Sequence, residues 1–283
     1  MISINNLEFA FKKKKPLFTG LSWKLDMGRT YGLFGLNGSG KTTLLNHISG
    51  MLFPADGECL INGTPSRNRI PASLSELFIL PEQFDLPSIN ARDYVALHAP
   101  FYPKFNPEQF RETMIQFEVN SDDPLTELSY GQRKKFLISF GLACNTGVLL
   151  MDEPTNGLDI PSKSQFRKIM AASSSDERCT VISTHQVRDL ESMIDQITVL
   201  DNGRIIFNRS LEEITQRLHF KTVRDDEAVS GKLYGEEILG GEAVVSGHNA
   251  DTKPTEIDLE LLFNAIIRET EAINRQFETE ARA

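Results

Sequence analysis

Residues 35–42 read Gly35-Leu36-Asn37-Gly38-Ser39-Gly40-Lys41-Thr42 and fit the pattern G-x-x-x-x-G-K-[ST]. A phosphate cradle needs consecutive backbone N–H groups turned inward at anionic oxygens. Glycines permit both the close approach and the unusual dihedrals. A short apolar strand, Thr30–Phe34, precedes the loop, and a helical pattern from Lys41 to about Ile48 follows it. The opening of that helix adds its own preference for anions. In such a loop Lys41 contacts the β- and γ-phosphates, and the Thr42 hydroxyl ligates Mg²⁺. Gly35, Asn37, Gly38, Ser39 and Gly40 supply the rest of the expected nucleotide-binding loop.

The second decisive stretch is Val148-Leu149-Leu150-Met151-Asp152-Glu153, an apolar strand ending in two carboxylates. A nucleotidase of this kind needs an Asp at such a strand end to hold Mg²⁺, and Asp152 fits. Glu153 then faces the γ-phosphate, where a carboxylate can accept a proton from attacking water. Around these two stretches strands alternate with helices. Leu77–Leu80 and Thr180–Ser183 read as strands, and Gly131–Cys144, Ser162–Ala172 and Val187–Ile194 as helices. That alternation predicts an α/β fold with a mainly parallel core sheet. Ser3–Phe11 and Phe18–Leu25 alternate like half-buried strands, Glu58–Asn62 is another strand, and Asp201-Asn202-Gly203 signals a hairpin between Ile197–Leu200 and Arg204–Asn208.

Residues 88–127 change character: helical periodicity, prolines, and the aromatics Tyr94, Phe101, Tyr102, Phe105, Phe110 and Phe117, read mostly as core. This predicts an inserted helical subdomain, continued by the helix that starts near residue 128. Residues 1–219 form one predicted domain and 220–283 a small α+β accessory domain. The latter closes with an amphipathic helix, Glu256–Glu269, in which Leu259, Leu262, Phe263 and Ile266 share a face.

The composition narrows the function classes. The 283 residues carry 30 basic and 39 acidic side chains, a net charge of −9, with an acid-rich end from about Asp225. A net-negative chain is a poor general polyanion binder, so no nucleic-acid partner is expected. The basic run Lys12–Lys15 reads as a solvated hairpin tip. Cys59, Cys144 and Cys179 are scattered, with no CxxC pair, which suits a reducing, cytosolic compartment. Met1–Phe11 alternates instead of forming a secretory signal, and the longest apolar runs are too short to span a bilayer. Any membrane role needs a partner.

Between the two phosphate motifs lies Leu128-Ser129-Tyr130-Gly131-Gln132. It resembles the LSGGQ signature of ABC-transporter ATPases. The order of the remaining motifs is similar too: Asn156-Gly157-Leu158-Asp159 looks like the D-loop of that family, and His185, following a strand, like its switch histidine. The resemblance covers about residues 1–215. It implies an ABC-type P-loop NTPase fold with an antiparallel β subdomain beside the parallel core. It implies ATP and Mg²⁺ as ligands and ATP hydrolysis as the activity. Phe11 would stack on adenine; Lys41, Thr42 and Thr43 would hold phosphates and Mg²⁺. Glu153, His185 and Lys41 would be catalytic. Ser129, Gly131 and Gln132 would address the nucleotide of a second copy or a related ATPase in a head-to-tail dimer, with Asp159 at the same interface. A polytopic membrane permease would be the further partner, which would place the chain on the inner face of the cell membrane.

Two departures from the pattern stand out. Tyr130 replaces the first signature glycine. In Leu80-Pro81-Glu82-Gln83, where the family has a Q-loop Pro-Gln, register puts Glu82 at the expected position with Gln83 next to it; either side chain could reach the metal. Phe101-Tyr102-Pro103, this LPE-type loop and Glu256–Phe263 resemble bacterial ABC-2-type exporters with a separately encoded permease. An importer ATPase and a soluble ABC ATPase acting as an assembly factor are the alternatives.

Overall fold

The computed structural model describes residues 1–12, 15–120, 122–190, 192–224, 229–248 and 255–278. Lys13 and Lys14 of the basic run, Glu191 of the predicted 187–194 helix, and Asp225 at the head of the acid-rich end lie outside them.

The chain opens with the antiparallel pair β1 (Ile2–Phe9) and β2 (Phe18–Leu25). Next come β3 (Arg29–Phe34), the phosphate loop and α1 (Lys41–Ile48). β4 (Asp56–Ile61) returns to pair antiparallel with β1, and the two-residue β5 (Thr64–Pro65) extends that sheet. After the short α2 (Pro71–Leu74) and β6 (Leu77–Leu80), the helical segment holds α3 (Ala91–His98), α4 (Pro107–Gln116) and α5 (Tyr130–Ala143). Then follow β7 (Val148–Asp152), α6 (Ile160–Ala172), β8 (Cys179–Thr184), β9 (Gln196–Asp201) and β10 (Arg204–Ser210). The chain ends with α7 (Leu211–Arg217), β11 (Leu218–Val223), β12 (Lys232–Ile238), β13 (Gly241–Gly247), α8 (Leu259–Arg268) and α9 (Thr270–Arg275).

The fold is α/β. Its central sheet has the order β10-β9-β3-β8-β7-β6, parallel throughout except for the β9–β10 hairpin. Every residue of β7 and β8 is buried, and burial on both faces explains the apolar run Val148–Met151 of β7. β3, β7 and β8 are adjacent in this sheet, so the phosphate loop, the acidic strand end and His185 all emerge from the carboxyl edge of one layer. Ligands bind at that edge in open α/β sheets.

The helical segment packs on aromatic rings. Tyr94 meets Phe136 and Phe140 edge-on at 5.0 and 5.3 Å, and Tyr102, Phe105 and Phe110 ring the same Phe140. Phe117 is fully buried, whereas Phe101 is 70% exposed. At the other end, β11-β13-β12 forms a third, antiparallel sheet. The apolar side of α8, with Leu259, Leu262, Phe263 and Ile266 all buried, joins the same cluster as Val199 and Phe207 of the central sheet. Among the described residues no helix is long and apolar enough to cross a membrane.

Two local expectations are corrected. The predicted helix 187–194 is only a 3₁₀ turn, Val187–Leu190: Ser192 takes a left-handed φ of 68°, which a continuing helix cannot hold. The terminal amphipathic helix begins at Leu259, not at residue 256. Asp258 stops it there by accepting from the Glu260 and Leu261 N–H groups as its N-cap.

Candidate active site

The phosphate loop leaves β3 through Gly35, where a Cβ would stand 2.4 Å from the Leu200 carbonyl. It turns into α1 at Gly40, whose φ of 109° is open to glycine and whose Cβ would strike the Phe18 ring at 2.9 Å. These two glycines fix the path of the loop; Asn37 and Gly38 line the cavity it encloses. The cavity has a volume of about 950 Å³, and Lys41, Thr42, Thr43, Glu82, Glu153 and His185 also line it. Phe11, 44% exposed, forms its outer wall and packs edge-on against Phe9 at 4.9 Å. Behind Phe9 stands His47, fully buried, its pKa pushed down to about 4 by that burial, so it supports the aromatic wall as a neutral ring.

Lys41 is 7% exposed. Its ammonium donates to the Gly35 carbonyl at 2.8 Å and the Leu36 carbonyl at 3.4 Å, and it lies 3.8 Å from Glu153 Oε1. Burial holds its pKa below the ordinary lysine value, against the opposing pull of Glu153 and Asp152. Asp152, 2% exposed, accepts from the Thr42 hydroxyl at 2.6 Å and from the Ser183 hydroxyl. A carboxylate beside a hydroxyl, at the edge of a phosphate cradle, is an all-oxygen donor set. Such a set suits Mg²⁺, a hard cation that takes one or two carboxylates and completes its shell with water and phosphate. Ser39, also buried, has a hydroxyl oxygen without a hydrogen-bond partner under the loop.

Glu153 ends its strand in the left-handed region, with φ 46°. A non-glycine residue held there costs on the order of 1–3 kcal/mol and is common at functional sites. Its carboxylate accepts from Thr184 Oγ1 at 3.0 Å, and from His185 twice: the backbone N–H at 3.0 Å and ring Nδ1 at 2.8 Å. A carboxylate can only accept, so Nδ1 carries the proton. β7 and β8 thus bring the Glu153 carboxylate and the His185 ring to one point.

Of the Q-loop pair, Glu82 lines the cavity, held there by Asn156 Nδ2 on its Oε1 at 3.3 Å; Gln83 is exposed and is not part of the cavity wall. The sequence leaves both side chains open as metal ligands; in the structure the cross-link to Asn156 turns Glu82 toward the cavity. Ser129, Gly131 and Gln132 do not line the cavity either. They form the first turn of α5, closed by a capping box between Ser129 and Gln132. Asp159 is an exposed N-cap for α6; its bonds from the Ser162 hydroxyl and backbone N–H hold its carboxyl below the usual range. Gly35 and Ser39 shape the loop from beneath.

Sequence reasoning missed Lys15, Pro16, Leu17 and Asn156, which complete the cavity wall. Asn156 lay inside a motif already singled out. In the sequence Lys15 stands out only as part of a charge run. Phe11→Ala should weaken ATP binding about fivefold, since one aromatic stack contributes on the order of 1 kcal/mol. Calorimetric titration checks this, and unchanged affinity would remove Phe11 from the site.

A family profile described as ABC transporter matches residues 18–156. An ABC transporter ATP-binding protein of Listeria monocytogenes serotype 4b is 31% identical over 73% of this chain and 81% of its own length. A methionine import ATP-binding protein of Carboxydothermus hydrogenoformans is 29% identical over 73% of this chain; the chain spans 65% of that protein's length. Among solved structures, the dimeric structure of MJ0796, a bacterial ABC transporter cassette, matches with a TM-score of 0.65 at 22% identity. It covers 75% of this chain and 99% of its own, a likeness of fold.

Proposed function

From the premise that the chain belongs to the ABC transporter ATP-binding family and is an ATP hydrolase of that kind, we propose that it is the motor subunit of an exporter whose permease is a separate chain. One observation carries the ATP-hydrolysing part of the proposal. Lys41, Thr42, Glu153 and His185 come from separate segments and line a single cavity, with Asp152 bonded to Thr42 behind it.

In this reading ATP lies with its base on Phe11 and its phosphates in the loop. Lys41 leaves the Gly35 and Leu36 carbonyls to bind the β- and γ-phosphates. Asp152 and Thr42 would hold Mg²⁺, which would supply charge neutralisation at the phosphates. Glu153 takes the proton of the attacking water, and His185 fixes the direction of that carboxylate. The chain supplies positioning and charge, which is most of what phosphoryl transfer asks of a protein. Ser129, exposed, and the half-buried Gly131 and Gln132 at the start of α5 address the nucleotide of a second subunit in a head-to-tail dimer. Asp159 flanks that interface. The exposed Phe101 and Leu97 of the helical segment face the permease, on the cytoplasmic side of the membrane. Residues 220–283 act as an accessory domain.

Export rests on the Phe101-Tyr102-Pro103 element, the Leu80-Pro81-Glu82 loop and the Glu256–Phe263 segment. Import is the second reading, favoured by the methionine import relative. The test is co-purification. Tagged Glu153→Gln protein is expressed in its native host, extracted in mild detergent with MgATP, and its companions identified. A polytopic membrane protein is expected, and its homology decides the direction. A soluble assembly complex, or no membrane protein in repeated trials, overturns the transporter reading.

A further inference from the structure

Lys134, one turn into α5, is fully buried. Its ammonium donates to two backbone carbonyls, Glu153 O and Asn156 O, each at 2.9 Å. The ring of Tyr130, four residues earlier on the same helix, lies 5.1 Å beneath the charge. Burying an ammonium among neutral carbonyls is expensive, and here burial lowers its pKa to about 8. A side chain kept at such a cost against two particular carbonyls is doing something the core does not require.

Those carbonyls are the two ends of the catalytic turn. Glu153 is the residue with the left-handed φ of 46°, and its carbonyl also accepts the Asn156 N–H at 3.2 Å. Asn156 in turn reaches the Glu82 carboxylate at 3.3 Å. Tyr130 grips the far side: its hydroxyl donates to the Glu82 carbonyl at 2.6 Å, and its ring stacks on Phe84 at 5.5 Å. The first turn of α5 therefore holds the turn at 153–156 and the loop at 82–84 at once.

We propose that Lys134 is a positioning residue for ATP hydrolysis: by pinning the Glu153 and Asn156 carbonyls it maintains the strained backbone that aims the Glu153 carboxylate. This rests on Glu153 being the base. Lys134 does not line the cavity, and its ammonium is bound to backbone carbonyls. It acts through the backbone, and so on kcat and not on ATP affinity.

The experiment compares purified full-length wild type, Lys134→Met, Lys134→Gln and Glu153→Gln with MgATP in steady-state and single-turnover assays. Fluorescent-nucleotide binding is measured alongside. Lys134→Met keeps the unbranched apolar arm, one atom shorter, and loses the donors; its kcat should fall about 10–100-fold, as misplacement near 1 Å does, while KM and nucleotide affinity stay within about twofold. Lys134→Gln keeps two N–H donors on a shorter arm and should fall between Met and wild type. If Lys134→Met does not fold, Lys134→Gln decides: reduced kcat at unchanged KM upholds the proposal, and a wild-type kcat overturns it. Full activity in Lys134→Met also overturns it, as does a joint loss of rate and affinity with Gln no better than Met. The two readings separate cleanly. An active Glu153→Gln defeats the assignment beneath, whereas an inactive Glu153→Gln beside a fully active Lys134→Met defeats this inference alone.

Discussion

Glu153→Gln should lower ATP turnover by about 10²–10⁴-fold, the range for loss of a positioned general base, and leave the fold and ATP binding intact. The contacts of Glu153 show why the two effects separate. His185 donates its N–H and Nδ1–H to a single oxygen, Oε1. A glutamine can keep its amide oxygen there. Its NH₂ then takes the Oε2 position, where the Thr184 hydroxyl can accept instead of donate. The buried network survives with its shape unchanged, and φ at residue 153 is no harder for Gln than for Glu. What disappears is the capacity to take a proton from water. If hydrolysis is what reopens a nucleotide-bound dimer, the variant should also accumulate as a dimer in MgATP and revert when ATP is removed. Light scattering after gel filtration, with a phosphate-release assay beside it, reads both. Wild-type turnover in the variant would end the assignment of Glu153 as base.

How far these residues could be read from sequence follows from how local each requirement is. The phosphate loop is legible because a cradle of N–H groups must come from consecutive residues, and Gly35 and Gly40 each meet a steric limit no other residue satisfies. β7 is legible because a strand buried on both faces reads as a continuous apolar run, Val148–Met151. The Glu82–Gln83 choice was not, because nothing within Leu80–Gln83 decides it. Asn156, far along the chain, holds Glu82 inward, and Tyr130 holds its carbonyl. Lys134 was invisible for the same reason. On a helix it looks like any solvated lysine, and only the packing of α5 against the end of β7 buries it. The 3₁₀ turn at Val187–Leu190 failed for the opposite reason: the local apolar spacing was sound, but the chain must turn left-handed at Ser192 to reach β9.

Lys41→Ala should separate two quantities that normally move together, the stability of the free protein and its stabilisation by nucleotide. A charge-assisted hydrogen bond contributes about 1.5–3 kcal/mol, so losing the lysine should weaken ATP binding about 10–100-fold. At an ATP concentration 100 times the wild-type Kd, a 30-fold weaker site cuts the stabilisation from about 2.7 to about 0.9 kcal/mol. The free protein should behave otherwise. Lys41 is buried against two carbonyls, with Glu153 only within 3.8 Å, and burial holds its pKa below the ordinary 10.5. A lysine whose pKa falls on folding is bound by more protons in the unfolded chain. It therefore costs stability at neutral pH, and that cost is relieved as pH rises through the folded pKa toward 10.5. Alanine removes the cost. Free Lys41→Ala should melt no lower than wild type at neutral pH and gain less stability on the alkaline side. Lys134, whose pKa of about 8 is lowered by the same cause, contributes in the same direction, while the buried Cys59 and Cys179 thiols, pushed up to about 12, act in the opposite one. Thermal melts at neutral and alkaline pH, each with and without MgATP, give all four quantities. A variant that melts well below wild type when free, yet keeps the full shift with ATP, would show that Lys41 serves the fold and not the phosphates.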